Sequence, residues 1–308
     1  MNLIDLARLD DNQARQYFEG IRWPNGPVCP HCQCTNCTRL EGEAHRPGTL
    51  QCNNGDCRLQ FTATVGTVLE SSHLPIIKWL MAFHLICSSK KGFSAKQLQR
   101  ELEIGSYRTA WFLLHRVRHA MTAGFEKLDG VVEADETYVG GKPRYKGQSP
   151  RGRGTKKAPV MALVQRDGDV RCFPVQMVDS VTLHNEIVAK VSSDATLITD
   201  ELPSYKKVGK TFAGGHHTVC HREKEYVRKA RGRDGMKITT NTVESFFALL
   251  KRGNYGVYHS MSKRHLHRYC EEFAFRWRHR KVSDSVRTEC AIAAAEGKRL
   301  MYETSATR

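Results

Sequence analysis

No stretch of this chain approaches the roughly 20 consecutive apolar residues that a membrane span needs. Its start, Met1-Asn2-Leu3-Ile4-Asp5-Leu6, lacks the charged opening and apolar core of a secretory signal. Both absences point to the cytoplasm. No internal repeat recurs, and the only low-complexity tract is one basic loop. Acidic residues are in short supply: 32 Asp plus Glu stand against 48 Lys plus Arg, giving a net charge of +16 with His neutral. That imbalance favours a polyanionic partner, nucleic acid before a membrane surface. A disulfide framework is also missing. Eleven cysteines would suffice for one, but six crowd between Cys29 and Cys57 and the other five are scattered. Without a leader, this distribution suits a metal site plus ordinary buried thiols.

At 308 residues the chain can bury a sizeable core and hold two or three domains. The expected class is a multidomain α/β protein. Residues 1–21 form an N-terminal amphipathic helix, with Leu3, Leu6, Leu9, Ala14 and Phe18 on its apolar stripe. Residues 22–70 are Cys-rich and full of turn formers, and 71–128 are helical by pattern. Residues 129–282 alternate strands and helices, and 283–308 make a C-terminal helix or tail. Within the α/β stretch, strands are expected at Val131–Val139, Pro159–Arg166, Val170–Val178, Thr196–Thr199 and Val219–Val227. Asp167-Gly168-Asp169 turns the second strand into the third. Helices are expected at Leu183–Val191, Asn241–Lys251 and Lys263–Arg280. Three strands, helix, strand, helix is an order that fits a ribonuclease-H-like sheet.

The cysteine cluster opens with the knuckle Cys29-Pro30-His31-Cys32, and Cys52-Asn53-Asn54-Gly55-Asp56-Cys57 supplies a second pair. Thiolates so spaced close around a tetrahedral structural Zn²⁺. Cys29, Cys32, Cys52 and Cys57 are the expected ligands. Cys34-Thr35-Asn36-Cys37 is a competing knuckle, so Cys34 or Cys37 remains an alternative ligand.

Downstream, Pro75 stands at a plausible helix start before Ile76, Ile77, Leu80 and Phe83. Ser94 is a credible cap for a helix carrying Leu98 and Leu102, and Ile104-Gly105-Ser106 turns into a second helix with Ala110, Leu113, Leu114, Val117 and Met121 on one face. This is the helix-turn-helix layout. Ser106, Tyr107 and Arg108 would then sit where recognition helices meet base edges. Lys78, Lys90, Lys91, Lys96, Arg100, Arg116 and Arg118 add positive charge to the region. The bland alternative is a helical pair that merely packs. A second basic feature follows Val139: Lys142, Arg144, Lys146, Arg151, Arg153, Lys156 and Lys157 in a glycine-rich loop without an acid. Tyr145 in that loop can stack on a base or sugar.

Three carboxylates occupy suitable contexts for chemistry. Asp135 lies in the apolar run Val131–Val139, Asp200 ends Ala195–Thr199, and Glu244 opens the helix Asn241–Lys251. Charges beside buried strands are costly unless paired or metal-bound. Oxygen donors suit Mg²⁺ or Mn²⁺, and two such ions can clamp the attacking and leaving oxygens of a phosphodiester. Glu133 and Glu136 compete with Asp135, although alternation puts Glu133 and Asp135 on one face and Glu136 on the other. Asp200 could instead make an Asx turn before Pro203, and Glu244 could serve the helix dipole. Asn241 and Lys251 share Glu244's helical face. Asn241 could orient metal-bound water, and Lys251 could hold DNA. Later, Glu272 and Arg276 form an i, i+4 pair within a helix that either packs the core or backs the site.

These residues together resemble a bacterial insertion-sequence transposase of the DDE class, in the zinc-ribbon, ISXO2-like family related to Merlin transposons. The resemblance runs through Cys29–Cys32, Cys57-Arg58-x-x-Phe61, Thr64-x-Gly66-Thr67 and Ser94-Ala95-x-Gln97-Leu98. It continues through Asp135-Glu136-Thr137-Tyr138-Val139-Gly140-Gly141-Lys142, Thr199-Asp200-x-x-x-x-Tyr205 and Asn241-Thr242-Val243-Glu244-Ser245-Phe246. Leu250-Lys251-Arg252-Gly253 and Glu272-Phe273-x-Phe275-Arg276 complete it. It implies a ribonuclease-H-like catalytic domain preceded by a zinc ribbon and a helix-turn-helix. It also implies catalytic metal on Asp135, Asp200 and Glu244, with Asn241 the competing third position. The implied activity is cutting at the inverted-repeat ends of the element and joining the 3′-hydroxyls to target DNA. Pairing two ends implies a homo-oligomer, acting in the cytoplasm on the nucleoid. A second class stays open: a DNA-binding regulator whose α/β domain is catalytically inactive. A third is a nuclease of the same fold without strand transfer.

Overall fold

The computed structural model describes the chain except residues 123, 125, 142–154, 224, 231–234 and 303–308. It divides into two compact units, Met1–Met121 with Lys281–Arg308, and Thr122–Arg280.

The first unit begins with two helices where one was expected. Helix α1 spans Leu3–Ala7 and α2 spans Asp11–Arg22. The break is Asp10, whose carboxylate takes the Gln13 N–H at 2.7 Å while the Gln13 side chain accepts from the Asp10 N–H at 3.0 Å. This reciprocal capping box starts a new helix more effectively than continuing the old one. Strands β1 (Cys37–Arg39), β2 (Leu50–Cys52) and β3 (Gln60–Phe61) then form an antiparallel ribbon in chain order. Helix α3, Ile76–Ser88, buries Trp79, Leu80, Ala82, Phe83, His84, Ile86 and Cys87, so it is enclosed on nearly every side. Pro75 is its cap residue and not its first turn.

Helices α4 (Ala95–Glu101) and α5 (Tyr107–Ala120) follow. The Ser94 hydroxyl accepts the Gln97 N–H at 3.1 Å, which fixes where α4 begins. Leu98, Leu102, Ala110, Leu113, Leu114 and Val117 are buried as their spacing predicted. Arg116 and Arg118 are buried too, which removes them from the expected basic surface. The Arg116 guanidinium lies 4.8 Å from the Trp79 ring centre, and burial lowers its pKa to about 10.

The second unit is built on a five-stranded sheet. Its strands are β4 (Val131–Val139), β5 (Ala158–Gln165), β6 (Val170–Pro174), β7 (Thr196–Asp200) and β8 (His216–Val219). The spatial order is β6-β5-β4-β7-β8; β4, β5 and β6 pair antiparallel, while β7 and β8 add in parallel on the far side of β4. Three antiparallel strands followed by two parallel ones around a central first strand is the ribonuclease-H-like arrangement. Helix α6 (Ser180–Lys190) makes the crossover to β7. Its first turn is held by Asp179, which accepts the Val181 and Thr182 N–H groups. After β8, a small hairpin of β9 (Arg228–Lys229) and β10 (Lys237–Ile238) leads to α7 (Asn241–Gly253) and α8 (Leu266–Arg278).

Both faces of the sheet are covered. Val160, Ala162 and Val164 pack with Phe246, Leu250, Leu266 and Phe273 of α7 and α8. Met161 and Leu163 face the other way, with Leu183 and Ile187 of α6. Two-sided burial explains why β5 reads as an almost unbroken apolar run. Each fully buried Leu or Phe contributes about 1.5–3 kcal/mol. The expected strand Val219–Val227 does not form. The Asp200–Val219 pair is the last rung of β8's ladder with β7, and the Glu223 N–H then closes onto the Cys220 carbonyl in a helical turn. Among the described residues, no helix is long and apolar enough to cross a membrane.

The Glu272–Arg276 pair lies inside the second unit. Arg276 donates to Glu272, and the Tyr258 hydroxyl donates to the same carboxylate. Both charged residues are buried, so this part of α8 packs the core. Helix α9 (Asp284–Ala293) belongs to the first unit, where it packs on α3.

Candidate active site and zinc cluster

Strands β4 and β7 run parallel with Val131 opposite Thr196 and Glu133 opposite Ile198. Asp135 and Asp200 each lie two residues beyond that last pair. They therefore lie side by side on adjacent strands just past the β4–β7 pairing, Asp135 in the middle of β4 and Asp200 at the carboxyl end of β7. Glu244 enters from the first turn of α7.

Burial raises the Asp135 carboxyl from 3.8 to about 8, with further contributions from Glu136, Asp200 and Glu244; the Glu136 N–H, 2.8 Å from its Oδ1, works against the shift. Asp200 is raised as well, by burial first and then by Glu201, while a bond from the Leu202 N–H and the proximity of His221 oppose it. That Leu202 bond, 3.0 Å to Oδ1, makes the Asx turn before Pro203 that the sequence allowed. Turn-making and a place among the acids coexist in this residue. The Glu244 carboxylate is exposed and accepts the Thr240 hydroxyl at 3.1 Å, with His221 Nε2 at 3.3 Å. Among the described residues, the group gathered closely enough to hold a metal ion is the four cysteines below, their ligating atoms within 4.8 Å of one another. The three acids share one electrostatic neighbourhood.

Asn241 and Lys251 are both exposed on α7. The Asn241 N–H is bonded to the Thr239 hydroxyl at 3.2 Å. Ser106, Tyr107 and Arg108 are exposed at the start of α5, and the Arg108 guanidinium stacks 4.0 Å over the Tyr302 ring. In the basic loop, Lys156 is exposed and Lys157 partly buried. Lys142, Arg144, Lys146, Arg151 and Arg153 lie outside the described residues.

Five residues of this region have partners that sequence reasoning did not assign. Glu136 accepts the hydroxyl of the buried Tyr205 at 2.8 Å, on the α6 face, so it points away from Asp135 as alternation required. Glu133 is fully buried and bonded to the start of α7 and to Arg166. His221 touches Glu244 and, at 3.1 Å, the Thr240 hydroxyl. Glu133, Glu136 and Tyr205 had some signal, through strand alternation and the spacing to Asp200. Arg166 and His221 had none.

In the ribbon, Cys29, Cys32, Cys52 and Cys57 gather, with Cys29 and Cys57 sulfurs 3.8 Å apart and Cys32 and Cys52 sulfurs 3.5 Å apart. A tetrahedral zinc thiolate site, with Zn–S near 2.3 Å, requires sulfurs about 3.8 Å apart. The cluster therefore fits Zn²⁺. Each knuckle turns through a non-glycine residue of positive φ directly after its second cysteine: Gln33 at 62° and Arg58 at 49°. Cys34 and Cys37 stand apart, their sulfurs directed to the carbonyls of Asn36 and Cys34.

A zinc ribbon followed by a ribonuclease-H-like sheet with Asp135 and Asp200 on adjacent strands suits the transposase class. Residues 127–278 match the ISXO2-like transposase domain and residues 9–60 the transposase zinc-ribbon domain, and the chain belongs to this family. It is 28% identical over 281 residues to an uncharacterized protein in transposable element ISH50 of Halobacterium salinarum, covering 87% of this chain and 91% of that protein. Among solved structures, the Mos1 strand transfer complex is similar over 72% of this chain and 79% of its own, at 13% identity and a TM-score of 0.30. A chain of the simian T-cell lymphotropic virus intasome, in complex with the PP2A regulatory subunit B56 gamma, is similar over 65% of this chain, at 11% identity and a TM-score of 0.25. The present chain spans 63% of that chain's length. The fold assignment rests on strand order and not on these two likenesses.

Proposed function

We propose that the protein cuts DNA at the ends of its insertion sequence and joins the freed 3′-hydroxyls to target DNA. The observation that carries this is the juxtaposition of Asp135 and Asp200 on neighbouring strands, with the Asp135 carboxyl lifted by burial and by the surrounding acids. Hard oxygen donors crowded enough to oppose one another's ionisation are what a divalent cation relieves. Asp135, Asp200 and Glu244 would hold Mg²⁺ or Mn²⁺. When bound, the metal activates the attacking oxygen and stabilises the departing one.

The remaining roles fall to the chain itself. Lys251, on Glu244's face, neutralises a backbone phosphate, and Asn241 orients a polar group of the substrate. Ser106, Tyr107 and Arg108 read the terminal repeat from α5. Lys142, Arg144, Lys146, Arg151, Arg153, Lys156 and Lys157 grip phosphates after β4. The ribbon zinc is structural. The working form is a homo-oligomer on paired ends, in the cytoplasm and on the nucleoid.

The test is an in vitro reaction with an end duplex, target DNA and Mg²⁺ or Mn²⁺. Asp135→Ala, Asp200→Ala and Glu244→Ala are expected to lower cleavage and joining by at least about 100-fold, as loss of a principal charge-stabilising group does. DNA binding should persist. Full activity in all three variants sinks the assignment, and Asn241→Ala identifies the third position if only Glu244→Ala stays active. Cleaved but unjoined products would indicate a nuclease.

A further inference from the structure

We propose that Glu133 is the positioning residue that fixes the helix bearing Glu244 against the strand bearing Asp135; the inference rests on the transposase assignment above. Glu133 is wholly inaccessible, on the central strand, two residues before Asp135 and on the same face. It cannot meet substrate. Its two oxygens accept four hydrogen bonds. Oε2 takes the N–H groups of Thr242 at 2.8 Å and Val243 at 3.0 Å; Oε1 takes the Thr242 hydroxyl and Arg166 Nε, both at 2.8 Å.

Thr242 and Val243 are the second and third residues of α7, whose N–H groups have no partner within the helix. An N-cap side chain ordinarily satisfies them. Here the cap residue, Thr240, makes no such bond. Its hydroxyl is given to the Glu244 carboxylate instead. Glu133 supplies the cap from another strand, leaving Thr240 free to orient the acid. Arg166 extends the brace, donating also to the carbonyls of Lys237 and Thr239 on the approach to the helix.

One carboxylate thus ties together β4, the end of β5, the incoming chain and the first turn of α7. Asp135 stands two residues beyond it on one side, and Glu244 one residue beyond Val243 on the other. A buried ion pair is a poor choice for stability alone, since apolar residues of similar volume often do as well. Four directional bonds set a distance in a way that apolar packing does not.

The experiment uses the full chain carrying Glu133→Gln. An amide cannot accept from all four donors, since its NH₂ meets an N–H or the guanidinium. Hydrogen exchange should quicken at Thr242 and Val243. Mn²⁺ affinity, titrated by electron paramagnetic resonance, should fall about 10–100-fold, the usual effect of losing a supporting partner behind a metal ligand. The Mg²⁺ concentration for half-maximal cleavage should rise alongside. Leu250→Ala, in the same helix with the brace intact, controls for lost stability: it should lower the melting temperature and leave Mn²⁺ affinity unchanged. Wild-type Mn²⁺ affinity in Glu133→Gln overturns the proposal. If that variant does not fold, Thr242→Val decides: a fall of about 2–10-fold, from one ordinary hydrogen bond, supports it and no fall overturns it. Wild-type protein that binds no Mn²⁺ sensitive to Asp135→Ala overturns the transposase assignment, and this inference with it.

Discussion

Asp135 is the most constrained residue of the candidate site. Its carboxyl is held at about 8 against 3.8 by burial and by neighbouring acids. Between those values the folded chain keeps a proton that the unfolded chain has released. The unfolded state therefore binds fewer protons, and metal-free stability falls as pH rises from about 4 to about 8, then levels. Asp135→Asn removes this term. It is expected to stabilise the metal-free chain by about 0.5–2 kcal/mol near pH 8 while abolishing cleavage, the usual exchange between stability and function. Denaturant melts at about pH 5 and pH 8 check it, and a gain no larger at the higher pH counts against the assigned cause. Metal binding must displace the same proton, so the Mg²⁺ requirement should ease as pH approaches about 8.

At the scale of elements, the ribbon shows how backbone selects among equivalent residues. Cys29-x-x-Cys32 and Cys34-x-x-Cys37 have the same spacing, and nothing local separates them. The Cys37 sulfur is directed to the Cys34 carbonyl, while the turns after Cys32 and Cys57 help bring four other sulfurs together. Cys34→Ala with Cys37→Ala should leave one zinc per chain and change stability by no more than about 0.5 kcal/mol each. Cys52→Ala should abolish zinc binding and unfold the ribbon. Metal analysis and thermal melts check both, and loss of zinc from the double variant would reassign the quartet. A similar choice operates in α5, where Arg116 and Arg118 look like surface cations in the sequence. Helical phase turns them inward with Leu113 and Val117.

For the whole molecule, the notable feature is that the chain returns to its beginning. In the first unit Glu289 of α9 accepts the Tyr17 hydroxyl at 2.9 Å, Arg287 donates to the Cys87 carbonyl at 2.9 Å, and Arg22 pairs with Glu296 at 3.3 Å. The N-terminal unit is thus completed by residues that follow the transposase domain. Truncation after Arg280 should destabilise it by at least about 3 kcal/mol, since Ile292 and Leu300 alone bury apolar side chains worth roughly 1.5–3 kcal/mol each. Proteolysis and melting of the truncated chain measure this; an unchanged first transition would show that α9 adds no cover.

The sequence by itself determined most element types and singled out the cysteines and acids as candidates, because each depends on local periodicity, capping or spacing. Ser94, the Asp167-Gly168-Asp169 turn and the apolar run of β5 carry their geometry within a few residues. It failed where the deciding contact came from far along the chain. Glu133 reads as a rival to Asp135 until Thr242 and Val243, over a hundred residues on, are seen bonded to it. His221 has no local signature and meets Glu244 only because β8 ends where it does. Val219–Val227 has strand composition, but no partner remains for it beyond Asp200. Hydrogen bonds between distant segments are satisfied only once the sheet order is set, and that order belongs to the tertiary structure.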